Sequence, residues 1–441
     1  MDWEQLLNKE RLGKSGDLRE EIGRSHYHKD HDRIVFSSSF RRLGKKTQVH
    51  PLTENDHIHT RLTHSVEAGS VGRSLGIAAG YILSDLGKLP EWITPANIGE
   101  IVQSACLAHD IGNPPFGHAG EEAIRSWFDK NSGKEMFSDL DQDQRRDLSL
   151  FEGNALGFRV ITKTETMAEG GLGLSYPTLG AFLKYPWTSN HAESPKYKFS
   201  CFQSELKTLE LVATKLGLIH VTNGKWKRHP LAFLVEAADD ICYSMMDLED
   251  AVEMKIVSIA ELRSFLEPIL ASDKNMLKFL NNEKISNRKK IAHVRGKYVG
   301  DMVAAMSGVF SDKIDNIESG TFQQPLSQLL PQPEKQLLST AKDIAQQHVF
   351  DHKRKVRLEI GCYSILGTLL DAFCSAIHDM VKAKRLTFKS SRILTLLSIP
   401  HNNPENIDLY EGYMRVVSYI GGMTDSYATY IAQQICGSNV K

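Results

Sequence analysis

An adjacent imidazole and carboxylate, His109-Asp110, close an apolar run from Ile98 to Leu107 and are followed at once by Ile111-Gly112-Asn113-Pro114-Pro115-Phe116-Gly117-His118. Glycine and proline end helices, so the pair is expected at a helix terminus, in a rigid turn. Neighbouring residues on a helix point about 100° apart, so a ligand seated between them is the natural way for both side chains to act together. Two groups leave a metal ion under-coordinated, and partners must come from elsewhere. Candidates are His64, in Arg61-Leu62-Thr63-His64-Ser65 at the start of another apolar helix, and Asp239, in Glu236-Ala237-Ala238-Asp239-Asp240-Ile241, whose carboxylates face away from the apolar stripe. Two imidazoles and two carboxylates suit Mn²⁺, Fe²⁺, Mg²⁺ or Zn²⁺ and leave positions open for water and substrate. A His-Asp dipeptide alone is weak evidence, because in a chain of 441 residues it arises readily by chance.

Helices must position these groups. Leu234, Ala238, Ile241, Met245 and Leu248 step by four, three, four and three, the stripe of an amphipathic helix. Similar stripes recur around residues 62–84, 97–109, 206–217, 337–348, 358–383 and 411–435. Period-two alternation is scarce, and Gly217–Trp226, with Asn223-Gly224 as its turn, is the best candidate for a small β-hairpin. The expectation is an all-α, mainly helical chain forming a single large domain over 1–441, with a core at about 36–255 and a C-terminal helical region at about 256–441. Loops are expected at 130–147, 185–200, 311–336 and 400–406, which are polar or rich in breakers.

Composition narrows the function classes. A hydrophobic content of 41% supports a sizeable core, and 53 basic against 54 acidic side chains leave a net charge of −1. No global field attracts a polyanion, so any such ligand must meet a local basic site. Neither a basic leader with an apolar stretch nor a run of ~18 apolar residues is visible, so a cytoplasmic protein without a membrane partner is expected. The six cysteines are scattered without a CxxC pair and read as buried free thiols. Gly44-Lys45-Lys46-Thr47 lacks the earlier glycine of a phosphate loop, and Gly170-Gly171-Leu172-Gly173 is not a dinucleotide fingerprint.

Further polar groups fall at helical spacing. Glu121 follows His118 by three residues, Arg61 precedes His64 by three, and Asp239, Tyr243 and Asp247 recur at intervals of four along one helix face. The pattern His64, His109-Asp110, Asp239 resembles the H…HD…D signature of the HD superfamily of phosphohydrolases. Phe40-Arg41-Arg42-Leu43, Lys46-Thr47-Gln48-Val49, Arg61 to Ser65, His109 to His118, Phe151-Glu152-Gly153-Asn154-Ala155, Glu236 to Ile241 and Tyr419-Ile420-Gly421-Gly422-Met423-Thr424-Asp425 resemble, in order, blocks of the bacterial dGTP triphosphohydrolase family. The resemblance covers the chain from about 36 to 430.

The resemblance implies an HD-domain fold with helical insertions and C-terminal helices, a divalent metal held by His64, His109, Asp110 and Asp239, and cleavage of a dNTP, with dGTP preferred, to deoxynucleoside and tripolyphosphate. Mn²⁺ or Mg²⁺ is the implied metal, with Fe²⁺, Zn²⁺ or Ni²⁺ as alternatives. His118 and Glu121 match the family's catalytic pair, the imidazole either donating to the leaving 5′-oxygen or activating water. Arg61, Lys184 and Lys198 are the implied phosphate contacts, with Asn154 also on the substrate. Tyr243 and Val49 would wall the sugar, Gln48 and Asp247 would bond its 3′-hydroxyl, and Arg415 would approach the base. Asp240 is read as a structural carboxylate. The animal dNTPase of the superfamily has a histidine where this chain has Phe151, which aligns the chain with the bacterial branch. Family members form homo-oligomers, frequently hexamers, and some bind an activating dNTP between subunits.

Two competing readings remain. One is an HD phosphohydrolase acting on another nucleotide, such as a 5′-nucleotidase, a cyclic-nucleotide phosphodiesterase or an alarmone hydrolase, against which the blocks outside the HD core argue. The other is a nucleotide-sensing or single-strand-binding protein on an inactive HD scaffold. Arg288-Lys289-Lys290 and Lys353-Arg354-Lys355 can meet single-stranded DNA, although such runs on helices are more often solvated faces.

Overall fold

Capping residues and close-packed glycines set the helices that carry the site. The structure is a computed structural model and describes residues 1–14, 21–48, 57–166, 168–193, 197–266, 273–344, 353–382, 386–400 and 406–438. The elements used below are α1 (His28–Val35), α2 (Arg61–Asp85), α3 (Pro95–Ala108), α4 (Gly117–Asn131), α5 (Gly153–Arg159), α6 (Leu206–Leu216), α7 (Ala232–Glu253), α8 (Asn287–Glu318), α9 (Lys353–Lys382), α10 (Leu409–Gly421) and α11 (Asp425–Ile435). Thr60 and Thr94 begin α2 and α3 with reciprocal capping boxes to Thr63 and Asn97, and Pro95 occupies the first turn of α3.

The α2–α3 pair is the scaffold of the site. A β-carbon on Gly76 would stand 2.8 Å from Gly99 Cα, and one on Gly80 would stand 2.5 Å from Pro95 Cα. The two backbones therefore touch, which offsets the roughly 1 kcal/mol that each helical glycine costs relative to alanine. Helix α7 lies across both, α1 packs on α3, and α9 packs on α4, α10 and α11. The only sheet among the described residues is the expected hairpin, His220–Thr222 antiparallel to Lys225–Trp226, turning at Gly224 with φ +76°. The mainly helical expectation is met.

Several details differ from the sequence reading. Residues 311–318 belong to the 32-residue helix α8, and Gln142–Ser149 is a helix rather than loop. The 411–435 stripe is two helices, broken where Thr424 accepts from Tyr427 N and starts α11. Cys436 is exposed, while the other five cysteines are buried. Lys355–Lys382 is long and apolar enough to cross a membrane, but half of its most apolar stretch is packed inside the protein, as in a core helix.

One buried histidine gives the fold a pH dependence. His229, just before α7, donates from Nε2 to the Leu6 carbonyl at 3.2 Å and accepts at Nδ1 from Leu231 N at 3.1 Å. Only the neutral ring does both, and burial presses its pKa down to about 4. Because the folded value lies below the unfolded one, its stabilising contribution is complete above pH 6.5 and is lost as pH falls towards 4. Buried Asp147, pushed up to about 7 mainly by burial, acts in the opposite sense. The test is therefore a difference. Relative to His229→Gln, the wild type is expected to lose about 3 kcal/mol more unfolding free energy between pH 7 and pH 4 in urea titrations. Parallel pH profiles would contradict this.

Candidate active site

His109 sits at the C-terminal end of α3, where its Nδ1 donates to the Cys106 carbonyl at 2.6 Å. That bond leaves Nε2 as the ring atom facing Asp239 Oδ1 at 3.6 Å and Asp110 Oδ1 at 3.6 Å. His64, in the first turns of α2, brings Nε2 to 3.1 Å from the same Asp239 oxygen, and its Nδ1 lies 3.2 Å from Met246 Sδ. Asp239 projects from the middle of α7. One donor atom from each of His64, His109 and Asp239 lies within 4.8 Å of the other two. Three nitrogen and oxygen donors so placed can close on a single ion about 2.0–2.2 Å from each. Asp110 stands beside them, its Oδ2 accepting from Arg61 Nη1 at 2.9 Å and its Oδ1 from Asn113 Nδ2.

The electrostatics favour a cation. Burial opposes the ionised forms of Asp110 and Asp239, yet Arg61 and the two imidazoles hold the Asp110 carboxyl below its ordinary range, and the two imidazoles hold that of Asp239 well below it. Burial likewise opposes charge on His109, but Asp110 and Asp239 lift it to about 9. The field that draws a proton onto this imidazole draws a metal ion equally well.

Immediately downstream, Phe116 and Gly117 adopt φ +65° and +59°, and α4 starts from this left-handed pair. The positive φ favours glycine at 117, and a β-carbon there would stand 2.6 Å from Arg61 Nη2 and push the guanidinium aside. The bend aims His118, whose side chain is 82% exposed to the cavity, while its Nδ1 stays 3.0 Å from Glu121 Oε2. Glu121 is buried and its other oxygen accepts from Gly153 N at 2.8 Å. Burial pushes this carboxyl up, but the His118 bond, Lys198 and Arg125 outweigh it and hold it below the usual range.

A C-terminal residue fixes the bend. Buried Asp425, at the start of α11, accepts from Phe116 N at 3.0 Å, Thr47 N at 3.1 Å and Thr47 Oγ1 at 2.7 Å. Lys46 Nζ bridges the Asn113 and Gly421 carbonyls, each at 2.5 Å. Sequence alone marks residues 419–425 as a family block and says nothing of this contact.

A cavity of about 420 Å³ joins these groups; its walls include Gln48, Arg61, His109, Asp110, His118, Glu121, Asn154, Lys184, Lys198, Asp239 and Tyr243. His64 lies buried behind Asp239. Lys198 pairs with Glu152 at 2.8 Å, and Lys184 lies 3.4 Å from Glu236, which also takes Arg228 at 2.9 Å. Asn154 Nδ2 donates to Glu152 at 2.6 Å. Gln48 Oε1 and Arg61 Nε are buried without a hydrogen-bond partner, two polar atoms on cavity-lining residues. Val49 and the side chain of Asp247 lie outside the described residues. Arg415, on α10, is not among the described cavity-lining residues and lies 3.7 Å from Glu411. Asp240 accepts from Ser327 at 2.7 Å and pairs with Lys342.

Among the wall residues missed from sequence is an ion pair on α9. Lys355 and Glu359, paired at 2.8 Å one turn apart on α9, line the cavity. Lys355 read as part of a solvated basic run, and its i, i+4 carboxylate was the available signal.

No protein-family profile matches the chain. Among curated proteins, a deoxyguanosinetriphosphate triphosphohydrolase-like protein of Pseudomonas aeruginosa is 47% identical over 99% of both chains. One from Synechocystis is 38% identical, also over 99% of both. The deoxyguanosinetriphosphate triphosphohydrolase of Salmonella paratyphi A is 30% identical over 91% of this chain and 92% of its own. Identity of this depth over essentially the whole length, joined to the assembled His-Asp cluster, places the chain in the deoxyguanosinetriphosphate triphosphohydrolase family.

Proposed function

We propose that this chain is a metal-dependent dNTP triphosphohydrolase that prefers dGTP and directs water to the α-phosphorus. The observation that carries the reading is the meeting, in one cavity, of the cation-seeking His-Asp cluster, the His118–Glu121 pair and the cations Arg61, Lys184 and Lys198. In the reaction a bond forms between the water oxygen and the α-phosphorus, the bond to the 5′-oxygen breaks, and that oxygen leaves with a proton. An ion held by His64, His109, Asp110 and Asp239 would supply positive charge against the phosphate oxygens, with Mn²⁺ or Mg²⁺ as the proposed species.

The chain's own residues do the rest. Glu121 fixes the His118 ring through Nδ1, so Nε2 is the atom that moves a proton at the scissile bond. Arg61 and the two lysines already have carboxylate partners, so a triphosphate competes for cations that are in place, at little ordering cost. The unpartnered Gln48 Oε1 is suited to accept from the sugar 3′-hydroxyl, and Tyr243 to close the space a 2′-hydroxyl would need. Glu359 and Lys355 match guanine in charge pattern, the carboxylate accepting from N1–H and the exocyclic amine and the ammonium donating to O6. Exposed Ile360 and Tyr363 on α9, with Tyr427 and Tyr430 on α11, favour a homo-oligomer.

Incubating the protein with Mn²⁺ or Mg²⁺ and each dNTP or GTP, singly and mixed, tests the reading by anion-exchange analysis. Deoxynucleoside plus tripolyphosphate is expected, with dGTP fastest and GTP poorest. Monophosphate plus diphosphate, or no turnover with any metal, overturns it. Asp425→Ala, which frees the bend before His118, is expected to lower kcat on the order of 10²-fold through misplacement while leaving metal content unchanged. An unaltered kcat would separate this contact from the chemistry.

A further inference from the structure

A second set of metal-ligating side chains lies on α1, none of whose residues is among the described walls of the cavity. His28, His31 and Asp32 fall at i, i+3 and i+4, on one helix face. The two imidazole rings stack with centroids 5.3 Å apart and planes 15° from parallel. His28 Nε2 and His31 Nδ1 point to the same carboxylate oxygen, Asp32 Oδ1, at 3.8 Å and 3.5 Å. All three residues offer donor atoms within 4.8 Å of one another, as do His64, His109 and Asp239.

The surroundings add the orientation that metal ligands need. Arg24 binds the other Asp32 oxygen and leaves Oδ1 turned to the rings. On the far side of His28, Glu100 of α3 places Oε1 3.9 Å from Nδ1. Glu100 is itself held by Ser25 Oγ and by Asn97 Nδ2, the latter at 3.1 Å. A carboxylate behind an imidazole favours the Nδ1–H tautomer and leaves the Nε2 lone pair for an ion. The side chains are 42%, 30% and 29% exposed, so an ion can enter and keep water in its remaining positions.

We propose that His28, His31 and Asp32 form an accessory site for a borderline divalent cation such as Zn²⁺, separate from the catalytic cluster. Two imidazoles and one carboxylate favour Zn²⁺, Ni²⁺ or Cu²⁺ over Mg²⁺ or Ca²⁺. The site lies where α1 packs on α3, the helix that ends in His109, with Glu100 of α3 beside His28. Arg24 is the built-in competitor for Asp32, and the ion must share that carboxylate with it.

The experiment is metal stoichiometry on the full chain. Wild type, His31→Ala, His28→Gln, Asp239→Ala and the Asp239→Ala/His31→Ala double variant are stripped of metal, equilibrated with Zn²⁺ alone and measured by plasma mass spectrometry after gel filtration. Circular dichroism confirms folding. His31→Ala and His28→Gln are each expected to hold one Zn²⁺ fewer than wild type, and the double variant one fewer than Asp239→Ala. Because each comparison isolates this site, the result does not depend on whether the catalytic cluster takes Zn²⁺. Unchanged stoichiometry on removal of either histidine overturns the proposal.

Discussion

Asp239→Ala is expected to release the catalytic ion and to lower turnover on the order of 10³- to 10⁴-fold, the scale of several kcal/mol of charge stabilisation. Its Oδ1 is the atom shared by both imidazoles, 3.1 Å from His64 and 3.6 Å from His109, so no neighbour can replace it. The adjacent carboxylate is the control. Asp240 faces Ser327 and Lys342 instead, and Asp240→Ala is expected to keep both metal and most activity. Metal content and turnover measured on the two variants decide the assignment, and a metal-loaded, active Asp239→Ala enzyme would refute it.

The second large effect is at His118. His118→Ala is expected to reduce kcat by roughly 10²- to 10⁴-fold, the range for a positioned proton-transfer group, with metal content and thermal midpoint unchanged. An imidazole 82% exposed contributes little to packing, so a loss of activity here is not a loss of fold. Glu121→Gln is expected to lower kcat less, since the amide still reaches the ring but no longer stabilises its protonated form. Glu121→Ala should in addition destabilise the protein, because Gly153 N loses its acceptor and Lys198 and Arg125 lose a buried counter-charge. Full activity in a folded His118→Ala variant would remove the residue from the proton path.

Much of this site was legible because its histidines and aspartates sit on strongly patterned helices. The 62–84 and 97–109 stripes correspond to α2 and α3, and His109 does fall at the end of α3, where the glycine and prolines that follow stop the helix. The 32-residue helix α8 was not among the helical stripes read from sequence, and its last turns fell in the expected 311–336 loop because they are rich in charge, with Asp312, Lys313, Asp315 and Glu318 among few apolar residues. The break between α10 and α11 was hidden because Gly422-Met423-Thr424 interrupts the stripe for only three residues, and the Thr424 cap restarts it nearly in phase.

Contacts between residues far apart in sequence were the least visible. Asp425 reaches Phe116 across 309 positions, and no local pattern announces that an aspartate at a helix start serves a loop elsewhere. Lys355 and Glu359 are an ordinary i, i+4 pair by sequence and become wall residues only because α9 packs against α4, which carries His118. Arg415, chosen for its place next to a recognised block, is oriented along α10 towards Glu411.

Hydrolysis of dGTP in ¹⁸O-labelled water, with mass analysis of both products, tests the central claim most directly. Attack at the α-phosphorus with departure of the 5′-oxygen places one ¹⁸O in tripolyphosphate and none in deoxyguanosine. Label in deoxyguanosine, or in a nucleoside monophosphate released with diphosphate, would contradict it.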